Sequence, residues 1–285
     1  MSFGPAPWQQ TNWDARAAGN FICGGAGGGL IVFAAISGAG GAALAALLLG
    51  GLALVGTGLF CVWLEIGRPL RALHVFFNAR SSWMTREAFT ATLLFPVGIG
   101  ATLAVPGCKW AAALLALAFI YCQGRMVQAA RGIPAWREPL VALLFVATGL
   151  VEGGGVFFLT APLHQAATQA LVVLWGALLF GRMLAWLAYR RRLAAVAAPR
   201  AKAALDRAGW VLLVGGTLVP LALIAAVFAG ASAGDRTSVA AAIAGLAAAA
   251  AGAYAKYTIV VRAGFNQGFA LTQLPVRGAR PSRLG

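Results

Sequence analysis

Residues 42–65 read AALAALLLGGLALVGTGLFCVWLE, a run whose only charged side chain is its last, Glu65. A hydrocarbon core about 30 Å thick takes roughly 20 helical residues to cross, so this run is long enough to span one. It is too long and too evenly apolar for a barrel strand, which alternates over about 10 residues. A lone segment in lipid must satisfy its own backbone polar groups, and the helix does so.

The same reading applies along the chain. Spans are predicted over 18–38, 42–65, 87–106, 109–130, 138–159, 166–190, 208–230 and 238–262. With 61% hydrophobic and 10% charged residues in 285, the composition excludes an ordinary soluble domain. The expected fold is an all-α integral membrane protein: one bundle of eight transmembrane helices in a single domain, 1–285. The first span is not expected to be a cleaved signal peptide. It follows a polar, tryptophan-rich stretch (Trp8, Gln9, Gln10, Trp13) and lacks a basic leader.

Eight crossings put both ends of the chain on one side. On that side lie Arg16, the loop with Arg68, Arg71, Arg80 and Arg86, the loop with Arg131 and Arg137, and the run from Arg190 to Arg207. Arg277, Arg280 and Arg283 follow in the tail, whereas the opposite connections carry only Lys109 and Arg236 of the 22 basic residues. Basic loops stay cytoplasmic, so both termini are expected there, in the cytoplasmic membrane of a bacterium or archaeon. Topology and anionic headgroups account for the net charge of +15, and no soluble part remains to bind nucleic acid. The longer connections, 66–86 and 191–207, point function to the cytoplasmic face.

Cys23, Cys61, Cys108 and Cys122 are scattered rather than paired in C-x-x-C, so they read as small buried hydrophobes and not as cluster ligands. His74 and His164 fall in loops on opposite sides, an arrangement that cannot supply two facing axial ligands to one haem; no haem and no metal are expected in this chain. The Gly24–Gly29 cluster misses the dinucleotide-binding spacing and lies inside a span, where glycines serve close helix packing.

Ionisable groups in or beside spans are costly and mark candidate sites. Glu65 closes the second span before the helix-breaking Pro69. Glu87 opens the third, where a carboxylate complements a helix N-terminus. Arg125 lies near the cytoplasmic end of the fourth span. Arg182 lies two turns inside the sixth, from where it can snorkel. Glu152 lies deeper, beside Gly153–Gly155, as a structural hydrogen-bond donor or a step in a proton path. With Trp83 and the polar residues around it, Glu65, Glu87 and Arg125 outline a pocket open to lipid and cytoplasm. Such a pocket suits an amphipathic ligand with a polar head and an apolar tail, as a quinone is.

Three segments carry a family resemblance. EIGRPLRA (65–72) with SWMTRE (82–87), the stretch from Arg125 to Trp136 ending Ile-Pro-Ala-Trp, and RAGFNQGFA (262–270) resemble the NrfD/PsrC/DmsC-like membrane subunits of molybdopterin oxidoreductases. The nearest branch is the membrane subunit of phenylacetyl-CoA:acceptor oxidoreductases. The resemblance implies a complex with a ferredoxin-like iron–sulfur subunit and a molybdenum or tungsten pterin catalytic subunit, both as partner chains. It also implies a quinone (ubiquinone or menaquinone) bound in this chain. In DMSO reductase anchors a histidine in the span-two turn and a glutamate opening span three handle the quinol; Glu65 and Glu87 match these positions, the first departing from histidine. Quinone and proton handling is therefore expected at Glu65, Glu87, Arg125, His74 and Trp83. Partner docking is expected at Arg68, Arg71, Arg80, Arg86, Arg131, Trp136 and Arg137, and along the tail 263–285. The motif-bearing loops are the basic ones, so the partners are expected inside, where a CoA thioester is found. Two alternatives remain: a quinol-oxidising anchor of a DMSO- or polysulfide-type reductase, and a transporter, for which a break at Gly153–Gly155 is the one suggestive feature.

Overall fold

The computed structural model describes residues 6–66, 69–230 and 235–268. The chain is a multi-pass, all-α membrane protein. Arg68 lies outside the described residues, as do the side chain of Arg71 and the tail 269–285 with Arg277, Arg280 and Arg283.

The long helices are α1 (Ala15–Ile36), α2 (Gly41–Glu65), α3 (Trp83–Thr102), α4 (Cys108–Ala129), α6 (Leu140–Leu159), α8 (Gln169–Leu193) and α11 (Asp235–Tyr257). A further rod runs through α9 (Pro199–Trp210), a π segment (Val211–Leu218) and α10 (Val219–Gly230). Short turns α5 (Pro134–Arg137) and α7 (Ala161–His164) lie between them, and a 3-10 segment (Pro69–Phe77) joins α2 to α3. Seven of the rods are long and apolar enough to cross a membrane. The remaining one, α3, is long enough at 20 residues, but Arg86, Glu87 and several hydroxyls make it less apolar.

Local chemistry sets the ends. Asp14 accepts from the Arg16 amide to cap α1, and the neighbouring Arg16 guanidinium, 2.8 Å away, holds the Asp14 carboxyl below its ordinary range. Helix α2 stops at Glu65, and Pro69 opens the 3-10 segment. Ser82 caps α3 by accepting from the Thr85 amide. Capping by Ser82 corrects the expected start of span three: Glu87 stands one turn inside α3 and does not cap it. Helix α9 begins well before the predicted 208, because the charged stretch with Arg200, Lys202, Asp206 and Arg207 is helical. Helix α6 runs unbroken through Gly153–Gly155, so the break considered for a transporter is absent.

Helix α1 is the axis of the bundle: 72% of its apolar window is buried, against 33% for α2 and α8. Its glycines make this possible. A Cβ on Gly27 would stand 2.5 Å from the Gly51 carbonyl of α2, and one on Gly29 would stand 3.0 Å from the Gly153 Cα of α6. A Cβ on Gly155 of α6 would stand 2.5 Å from the Gly245 carbonyl of α11. Small residues thus let four helices meet at backbone distance. Two apolar clusters fill the bundle, one around Phe21, Phe145, Trp186 and Tyr189, the other around Phe33, Phe119, Phe157 and Trp175. Large apolar side chains such as Leu49, Phe60, Leu93, Leu114 and Phe180 remain exposed, as expected of surfaces that meet lipid.

The first and last described segments meet at one end. Gln9 pairs with Phe265 in an antiparallel bridge, the Gln10 amide donates to the Gly264 carbonyl at 2.8 Å, and the Asn266 amide donates to Trp8 at 3.1 Å. Helix α11 ends in a π segment (Thr258–Arg262), and side chains cap its open carbonyls. Trp136 donates to Ile259, Gln10 to Val260 and Gln9 to Val261.

The glycine contacts give a direct test. Gly153→Ala places a methyl against the Gly29–Leu30 backbone and is expected to cost about 1–3 kcal/mol or more, read as a lowered thermal midpoint in detergent. Gly181→Ala meets nothing within 4 Å and is expected to leave the midpoint unchanged or slightly raised.

Candidate functional site

Two intramembrane polar groups meet on adjacent residues of α1. On one side, Glu87 of α3 is buried at 4% exposure and accepts from the Asn20 amide at 3.2 Å. Gln123 of α4 donates to the Asn20 carbonyl at 3.0 Å. A Cβ on Gly24 would run into the Gln123 amide, so the missing side chain is what admits Gln123 beside α1. On the other side, Lys256 of α11 donates to the Phe21 carbonyl at 2.8 Å and to Glu152 Oε2 at 2.5 Å. Both members of that pair are almost fully buried. Gly25 and Gly252 leave the room they occupy, since a Cβ on either would contact them. Neighbouring carbonyls of α1, Asn20 and Phe21, therefore receive donors from opposite flanks.

Glu87 also borders a groove between α2 and α3. It lines an apolar groove of about 440 Å³ with Leu59, Val62 and Trp63 of α2, Ile66, Leu73, Val75 and Phe76 of the following turn, and Met84 and Ala88 of α3. Glu87 is the one ionisable side chain among these residues. Among the described residues, the groove thus offers an apolar slot with a single carboxyl against it, the pattern expected of a ligand site in which few polar groups set orientation.

The five residues expected to form one site divide between two places. Glu65 is partly buried at the end of α2 next to Ile66 of the groove. His74 lies between Leu73 and Val75 of the groove but is itself exposed, its ring 5.6 Å from that of Phe77. Trp83 and Arg125 instead line a separate basic recess. There the Trp83 indole carries the Arg86 guanidinium at 4.1 Å and that of Arg125 at 4.5 Å, and Arg125 donates to the Tyr121 hydroxyl at 2.8 Å.

Of the residues expected to dock partners, Arg80, Arg131 and Arg137 are exposed. Arg86 is committed in part to the fold, donating to the carbonyls of Ala79 and Arg80. Trp136 corrects its expected role. It is buried at 4% exposure, stacked on Trp13 with centroids 4.6 Å apart, and its indole N–H is used on Ile259. It ties the α5 turn to α11 and offers no surface. Arg182 does not snorkel: it is fully buried and donates to the carbonyls of Gly216 and Ala248 and to Thr217 Oγ1. The π segment that carries Gly216 and Thr217 supplies two of these acceptors.

Asn20, Gln123 and Lys256 were not among the expected site residues. The signal was there in each case, a polar side chain inside an apolar run. Lys256 was absorbed into the count of basic residues near the charged face, although it lies two turns inside the last span.

Among the described residues, no group of three or more His, Cys, Asp or Glu side chains is placed to hold a metal ion. The pair Lys256–Glu152 nonetheless makes a sharp prediction. Removing one partner leaves a buried charge without compensation and is expected to cost about 3–5 kcal/mol. Lys256→Met and Glu152→Gln should each lower the thermal midpoint strongly, and the double variant should recover most of the loss. No protein-family model matches this chain, and no curated protein matches it either.

Proposed function

We propose that this chain is the quinone-reactive membrane anchor of a molybdenum or tungsten iron–sulfur oxidoreductase. In this reading it passes electrons from a ferredoxin-like partner to membrane quinone, the electrons coming from oxidation of phenylacetyl-CoA or a similar CoA thioester in a separate catalytic subunit. The observation that carries the reading is the Glu87 carboxyl in the apolar groove between α2 and α3. The groove suits a quinone: its walls are apolar, it opens towards lipid, and its one carboxyl can exchange a proton with a ring oxygen. Reduction of a quinone to a quinol takes two electrons and two protons, so a protein group that moves protons is required at the ring. Glu87 fills that role, oriented by Asn20, with Glu65 and His74 on the flanking turn. The resemblance of the 65–72 and 82–87 segments supports the same place.

Topology supports docking inside. The pairing of residues 8–10 with 264–266 supports an even number of crossings, with α3 as an eighth span beside the seven apolar helices. Arg80, Arg131 and Arg137 lie in the connections that precede α3 and α6, with Arg86 in the first turn of α3, and the positive-inside rule supports a cytoplasmic placement of those connections. The basic face receives the cluster subunit, whose acidic surface would complement it.

Glu87→Gln keeps the hydrogen bond to Asn20 within reach and removes the exchangeable proton. In the complex purified from its native membrane, quinone reduction should fall about a hundredfold, the scale of general acid–base catalysis. Oxidation of phenylacetyl-CoA by a soluble dye should persist. Equal loss of both activities would sink the assignment.

A further inference from the structure

The basic recess around Arg125 takes no part in the quinone step at Glu87, although its Arg131 and Arg137 belong to the face proposed to receive the cluster subunit. It measures about 830 Å³ and is lined by four guanidinium-bearing residues from three parts of the chain: Arg125 of α4, Arg131 and Arg137 of the α4–α6 connection, and Arg192 at the end of α8. Glu138 is the one carboxylate among its described lining residues, and its closest ion pair there, to Arg192, is 3.5 Å long. The recess therefore holds a surplus of positive charge.

One of its arginines is also held in place. Arg125 is held over the Trp83 ring at 4.5 Å and donates to Tyr121, and its Nε is buried without a hydrogen-bond partner among the described residues. A buried donor left unpaired is costly, and Arg125 is one of the residues lining the recess. The planar fork of several guanidiniums matches the oxygens of a phosphate better than it matches a point charge. Pro134, Pro139 and Val196 give the recess an apolar side, and basic pockets between helices at the membrane surface are where anionic headgroups bind.

We propose that this recess is a phosphate-binding site, taking the phosphodiester headgroup of an anionic phospholipid or a free phosphate ion by the same contacts. The inference stands on the recess alone and does not depend on the redox reading.

The test uses the full chain in a neutral detergent, followed by thermal unfolding. Phosphatidylglycerol, phosphatidylcholine, and sodium phosphate against sodium chloride at equal ionic strength are titrated in turn. A rise in midpoint with phosphatidylglycerol but not phosphatidylcholine identifies the lipid as source; a rise with phosphate over chloride identifies the free ion. Arg131→Gln with Arg137→Gln, both exposed, should weaken the effective ligand about thirtyfold, from about 1 kcal/mol for each charge. Arg200→Gln with Arg207→Gln removes the same charge elsewhere and should change it little. Arg125→Lys, which keeps the charge and loses the planar guanidinium fork, should also weaken binding. No shift from either ligand, or equal weakening in the two double variants, overturns the proposal.

Discussion

The bundle depends on one constraint: α1 must pass through the middle of the molecule with almost no side chains on its inner turns. Between Gly24 and Gly29 the neighbouring helices approach to backbone distance, with Gly51 on one side and Gly149 and Gly153 on the other. In lipid no hydrophobic force drives helices together, so close packing and interhelical hydrogen bonds must hold them. The glycines supply both. They bring the backbones together, and they open the slots at Gly24, Gly25 and Gly252 into which Gln123, Lys256 and Glu152 fit.

The polar groups in the bundle follow from that geometry. Buried charge is tolerated where it is paired and hydrogen-bonded, and Lys256 satisfies this twice, through Glu152 and the Phe21 carbonyl. Arg182 satisfies it through the Ala248 carbonyl of α11 and through Gly216 and Thr217 of the π segment, the kind of local widening that recurs at special positions in helices. Glu87 differs: it is hydrogen-bonded to Asn20 within the bundle yet borders an apolar groove on the outside. That double contact separates it from carboxylates that only hold helices together.

Most of the fold was legible because continuous apolar runs leave few alternatives. The helix ends were legible where a cap or a proline marks them, as at Glu65 and Pro69. The start of α9 was hidden because an amphipathic, charged helix beside the membrane resembles a basic loop. Glu87 was found, but its surroundings were not: its partner Asn20 lies 67 residues away, and nothing local announces the contact. Trp136 misled for a related reason. An interfacial tryptophan and a core tryptophan look alike in sequence, and only the carbonyl of Ile259, 123 residues on, distinguishes them. Charge counting misplaced Lys256, because a lysine within two turns of a basic end belongs to either the surface or the interior.

The Lys256–Glu152 pair also has a time dimension. Glu152 is synthesised 104 residues before its partner, and at about 5–20 residues per second α6 exists for roughly 5–20 s before Lys256 emerges. During that interval the carboxyl lacks the ammonium that pairs with it, and α1 cannot yet close against α11. Insertion of α6 must therefore be reached through a neutral, proton-bearing carboxyl or a sheltered position beside the insertion machinery. The last helix, rather than the first, then locks the centre of the bundle.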